Sequence, residues 1–149
     1  MYQLPHIANC ILKRAHDEGM PITQMKLQKL LYLLYADYLQ NNNAVLFPER
    51  FEPWKYGPVL SDVYNAFRKY GSSPIRKYLI DSDGDYAMVS LSQNQELKRS
   101  LDRVWELFAG YTGIELSEIT HRADGAWMKA VDQCSSVLSD QDIIREKLA

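Results

Sequence analysis

The chain carries few of the features by which a small protein shows a chemistry. Only two cysteines occur, Cys10 and Cys134. They lie far apart in apolar, helix-like patterns, so a disulfide framework is excluded, a reducing compartment is expected, and both thiols are expected to be buried. Basic residues are not in surplus: 17 Lys and Arg stand against 19 Asp and Glu, for a formal net charge of −2. An extended phosphate-binding surface needs the opposite balance, so nucleic acid is not the expected partner. There is no Gly-x-Ser-x-Gly elbow, phosphate-binding loop, dinucleotide fingerprint or Cys-x-x-Cys pair, and so no motif for acyl transfer, nucleotide hydrolysis or thiol redox chemistry. The most apolar run, Leu30 to Leu39, contains Asp37 and is about half the length that a membrane span needs. Met1 to Asn9 has no basic stretch followed by an apolar core, as a secretory signal would. A cytoplasmic protein is expected.

What is present is a globular balance. The 149 residues are 46% apolar and 24% charged, enough to bury one core and too little polar sequence for a disordered segment. One domain is expected over 1–149, since no repeat or linker divides it. Leu4, Ile7, Ala8, Ile11, Leu12 and Ala15 recur at helical spacing, and Gly19 with Pro21 ends that helix. Thr23 caps a second helix over about 23–41 that is apolar nearly all round and is stopped by Asn41 to Asn43. A helix of that kind is surrounded by other elements, which makes it the expected centre of the fold.

Pro48 and Pro53 suit extended backbone over 45–54, while Gly57 and Pro58 read as a cap and first turn for a third helix closing at Gly71. Short β-prone runs at 77–80 and 86–89 flank a turn-rich Asp81 to Asp85 cluster and read as a hairpin. Further helices follow, with Leu97, Leu101, Val104, Trp105 and Phe108 as one stripe, a Thr112/Glu115 capping box, a break at Asp124-Gly125, and Ser139 opening the last. The fold class is therefore mainly α (α+β), a multi-helix domain around one apolar helix, with a small hairpin or short antiparallel sheet drawn from 45–54, 77–80 and 86–89.

Few constellations could carry chemistry. Glu118 and His121 form one Glu-x-x-His pair, but a di-metal bundle needs a second pair and two more carboxylates, and the chain has none. His16-Asp17 matches the adjacent dyad of helical phosphohydrolases without the separate ligands that chemistry needs. A small helical hydrolase using His16, Asp17 or His121 is thus the alternative from another class, and no catalytic residue, metal or cofactor is expected. Asp37, alone in the apolar helix, must reach a cation or donor if buried. Lys26 and Lys29 on the same helix are expected on a solvated face. The stretch from Phe51 to Val59 concentrates Trp54, Lys55 and Tyr56 before Gly57 and Pro58. Its rings either plug the core or stand out as anchors of an interface, and both readings hold at once.

Three blocks together resemble the Panacea domain family, also described as SocA-like or GepA-like: Ile22-Thr23-Gln24-Met25-Lys26-Leu27-Gln28-Lys29-Leu30-Leu31-Tyr32, then Trp54-Lys55-Tyr56-Gly57-Pro58-Val59 with Tyr64, then Leu116 to His121 with Trp127. They occur in the family's order over most of the chain; Asp124-Gly125-Ala126 before Trp127 departs from it, where Pro is usual just ahead of the Trp. The resemblance implies a bacterial or prophage-encoded, phage-associated antitoxin that neutralises a cognate toxin from a neighbouring gene by direct binding. It also implies a variant role, as a proteolytic adaptor that hands the toxin to an AAA+ protease of the ClpXP type. The partner-binding residues it suggests are Trp54, Lys55, Tyr56, Gly57, Pro58, Glu118, His121 and Trp127.

Overall fold

The computed structural model describes residues 1–149. α1 (Leu4–Asp17) and α2 (Gln24–Asn42) come first, then a two-stranded antiparallel pair, β1 (Glu52–Trp54) and β2 (Gly57–Val59), and then α3 (Ser61–Phe67), α4 (Gln95–Phe108), α5 (Gly113–Thr120), α6 (Ala126–Asp132) and α7 (Asp140–Arg145). The expected class holds: helices dominate and the sheet is one short hairpin.

α2 is the axis. Thr23 accepts from the Lys26 amide at its start, and Asn43, at φ 50°, takes the left-handed conformation that ends it. Asparagine tolerates that conformation better than most residues, which is why the Asn run terminates the helix. α1, α3, α4, α5, α7 and β2 all pack on α2, and fourteen of its residues are buried. Tyr32 and Tyr35 meet Phe51 edge-on at 5.2 and 5.4 Å between ring centroids, with Phe47 5.0 Å from Tyr35. The polar tips of these rings are satisfied from the C-terminal part of the chain. Tyr35 donates to Asp140 at 2.7 Å, and Tyr32 donates at 2.6 Å to the buried Glu146, which also accepts the Ala126 amide at 3.0 Å. Glu146 thereby ties the segment after α7 to α2 and to the first turn of α6.

The hairpin differs in place from the expectation. The ladder pairs Glu52 with Val59 and Trp54 with Gly57, so Gly57 and Pro58 lie in a strand and do not start α3, whose N-cap is Leu60. The segments 77–80 and 86–89 form no strand. Asn9 of α1 reaches between them: its Nδ2 donates to the carbonyls of Leu79 (2.9 Å) and Ala87 (2.8 Å), and its Oδ1 accepts from the Leu79 amide at 2.7 Å. A side-chain amide from a helix thus supplies the hydrogen bonds that a second strand would have supplied. Two further expectations are corrected: Cys10 is buried but Cys134 is exposed, and Lys26 and Lys29 are both buried.

Asp37 meets the expected cation. Arg103 of α4 binds it with both ends of the guanidinium, at 2.7 and 3.2 Å. Arg103→Ala would leave the buried carboxylate without its cation. Because the Arg103 side chain is 43% exposed, solvent moderates the loss to about 1–2 kcal/mol, readable as a lower urea midpoint with an unchanged slope.

Candidate partner-binding cleft

Of the eight residues singled out from the sequence, seven come together around the hairpin. Trp54 Nε1 donates to Glu52 at 2.9 Å, and its ring lies 4.8 Å from that of Tyr64 on α3. Lys55 and Tyr56 form the exposed tip, with Tyr56 56% exposed and the Lys55 ammonium 5.4 Å from its ring centre. Trp127 of α6 donates from Nε1 to the Trp54 carbonyl at 2.7 Å, and His121, at the end of α5, stacks on the Trp127 ring at 4.0 Å and 32°. Gly57 and Pro58 are buried beneath the tip. Glu118 is the exception: it is exposed on α5 and makes no side-chain hydrogen bond to the hairpin.

The hairpin is held by a device that sequence reading missed. Every second carbonyl from Trp54 to Leu60 accepts from a side chain on a different part of the core. Trp127 serves Trp54, Ser117 serves Tyr56, Lys29 serves Pro58 at 2.8 Å, and Gln28 serves Leu60 at 3.1 Å while also accepting from the Leu60 amide. A hairpin of two three-residue strands cannot hold its own shape in water. Four side-chain donors from α2, α5 and α6 do it instead.

Lys29 is the unusual member. It is 1% exposed and has no carboxylate within salt-bridge distance. Burial alone brings its ammonium down to about 7, because the charged form loses water and gains only a carbonyl. Its charge reaches His121, whose imidazole is held below the usual range by burial first and by Lys29 second, with Glu118 opposing. His121 Nε2 is buried without a partner.

Beside the hairpin a cleft of about 370 Å³ opens between the first turns of α2 (Gln24, Met25, Gln28), the tip residues and Tyr64. Its walls are aromatic and amide. No histidine lines it: His121 stays on the Trp127 side of the hairpin, and the other two lie elsewhere. His16 is exposed, Asp17 pairs with Lys13 at 2.6 Å, and His6 pairs with Asp81 at 2.8 Å.

The central helix from Leu27 onward, the hairpin and the α5–α6 corner fall inside one match to a known family, "Antitoxin SocA-like, Panacea domain", which covers residues 27–128. The chain belongs to this SocA-like Panacea family. Antitoxin SocA of Caulobacter vibrioides (strain NA1000 / CB15N) is 31% identical over 124 residues, spanning 81% of this chain and 66% of the relative, just short of two thirds of its length. No solved structure matches. The Panacea match takes in the hairpin and the side chains that pin it, Gln28, Lys29, Ser117 and Trp127, and ends before α7 and Glu146. No helix is long and apolar enough to cross a membrane.

Proposed function

We propose that this chain is an antitoxin that neutralises a cognate toxin by binding it directly, with the hairpin tip and the adjoining cleft as the contact surface. The reading is carried by membership of the SocA-like family. The surface is chosen on physical grounds. Tyr56 and Lys55 are exposed on a backbone that four side-chain donors, three of them buried, hold in place, and binding therefore orders little that is not already ordered. Aromatic rings on a fixed loop are what interfaces use as anchors. An interface of about 800 Å² per partner would make a stable complex.

The test is co-expression with the product of the neighbouring reading frame. Expected are arrest of growth by that product alone, rescue when this chain is present, and a complex recovered by pull-down. Lys55→Glu and Tyr56→Ala, both at exposed positions, are expected to leave the melting temperature unchanged and to weaken the complex at least about tenfold, or 1.4 kcal/mol. A neighbouring product that is harmless alone, or one that stays toxic with no complex formed, would overturn the reading.

A further inference from the structure

The cleft beside the hairpin contains an acceptor with nothing to accept. Gln24 lines it and is 7% exposed, yet its Oε1 is buried and has no hydrogen-bond partner. An orphaned buried acceptor costs about 1–3 kcal/mol, and that cost is recovered when the Gln24 amide turns its oxygen into the cleft and a ligand brings an N–H or O–H to it. The other walls are apolar or flat: Met25, Val59, Trp54, Tyr56 and Tyr64. At about 370 Å³ the space sits at the low end of ligand pockets, which run from about 300 to 1,000 Å³. It has room for one large side chain with its neighbours at the mouth.

The charged residues that line the cleft are both basic, and the carboxylate beside it, Glu52, is engaged by Trp54 Nε1. Lys29 and Lys55 are the only charged residues lining it, and the Arg68 guanidinium lies 5.6 Å from the Tyr64 ring centre. None of the three has a carboxylate within 4.0 Å, in a chain whose net charge is −2. Lys55 and Arg68 are exposed and can be neutralised from outside.

We propose that the cleft is an anchor pocket for an acidic, aromatic segment of the partner protein: a Trp or Tyr ring packs on Trp54 and Tyr64, donates from its polar tip to Gln24 Oε1, and carries flanking Asp or Glu carboxylates against Lys55 and Arg68. Trp and Tyr combine a large apolar body with an uncharged donor at the far end, whereas Lys and Arg, which also end in donors, would be repelled by the lysines of the lining. The proposal rests on the antitoxin reading in that the segment belongs to the toxin.

The experiment uses the full chain, ¹⁵N-labelled, titrated to millimolar concentration with synthetic peptides. The sequences are Glu-Asp-Trp-Asp-Glu, the same with Phe or Ala at the centre, and Lys-Lys-Trp-Lys-Lys, with adenosine monophosphate as a further probe. Expected are shifts at Gln24, Trp54 and Tyr64, strongest binding by the acidic Trp peptide, several-fold weaker binding by the Phe peptide, and little by the Ala and Lys peptides. Gln24→Leu should erase the Trp-over-Phe preference while leaving the acidic preference. Lys55→Glu should reverse the acidic preference while leaving the fold, checked by a thermal melt. Equal binding by all peptides, shifts confined to the exposed Leu107, Tyr111 and Ile114 face, or tighter binding of the nucleotide in the cleft would each overturn the proposal. Neutralisation in cells without these peptide preferences leaves the antitoxin reading standing and removes this pocket from it. The converse result keeps the pocket and removes the antitoxin reading.

Discussion

Replacing Gly57 by Ala is expected to cost about 3–5 kcal/mol, a large part of the total stability of a domain this size. Two penalties add at this position. The residue sits at φ +113°, where an L side chain is strained, and a Cβ built on it falls 2.7 Å from Thr120 Oγ1 and 2.9 Å from Lys29 Cε. Neither neighbour can retreat easily. Thr120 is 1% exposed and its hydroxyl already donates to the Ser117 carbonyl at 2.8 Å, while Lys29 is enclosed and tied to Pro58. Backbone strain contributes about 1–3 kcal/mol and overpacking about as much again. Gly84→Ala is the control, since Gly84 has φ +81° with nothing within 4 Å of the added carbon; it carries the backbone penalty alone. Urea midpoints of the two variants should therefore differ by the close-approach term. Equal losses would show that the hairpin does not need Gly57 for its contact with α2 and α5. Because the same displacement would lift Tyr56 and Lys55 from their place, the proposed binding of a toxin at the tip predicts that Gly57→Ala abolishes the complex at temperatures where the chain still folds.

The helices were legible because their signals are local. The stop at Asn43, the Thr112/Glu115 capping box and the Ser139 cap each depend on residues within one turn, and each forms as the spacing requires. The hairpin was legible in composition but not in register. Pro53 and Pro58 face each other across the pair, and a strand with proline on both sides reads as loop or helix start when its supporting donors lie some 30 to 70 residues away. The 77–80 and 86–89 runs misled for the reverse reason. Their β-prone composition is real, but Asn9 takes the bonds that would have made a ladder.

The site was half legible. Trp54, Tyr56, His121 and Trp127 are large side chains clustered in two short stretches, so they draw attention. The helix side chains that pin the hairpin beneath them, Gln28, Lys29 and Ser117, look like ordinary helix surface. One signal was available for Lys29. A helix apolar on nearly every face leaves no solvated side, so any lysine on it must be enclosed.

That enclosure gives the second large effect. In the unfolded chain Lys29 holds its proton up to about pH 10.4, whereas in the folded chain it gives it up near 7. Between those values the unfolded state binds one more proton than the folded state, so stability rises with pH across the window. Below about pH 7 the penalty of the buried ammonium is present in full; above it the penalty is progressively relieved, by an amount on the order of 3 kcal/mol by pH 9.5. Lys26, also lowered by burial, adds a smaller slope of the same sign, and the buried Cys10 thiol, pushed up by burial, opposes it. Both remain in Lys29→Met and cancel in the comparison. His121 is the titratable group whose charge couples to Lys29, and its lowered value places its effect below the window. Urea unfolding at intervals from pH 7 to 9.5 should show wild-type stability climbing steeply and the Lys29→Met protein nearly flat. Parallel curves would mean that Lys29 keeps its charge in the fold, and that the Pro58 carbonyl with enclosed water suffices to hold an ammonium at the base of the hairpin.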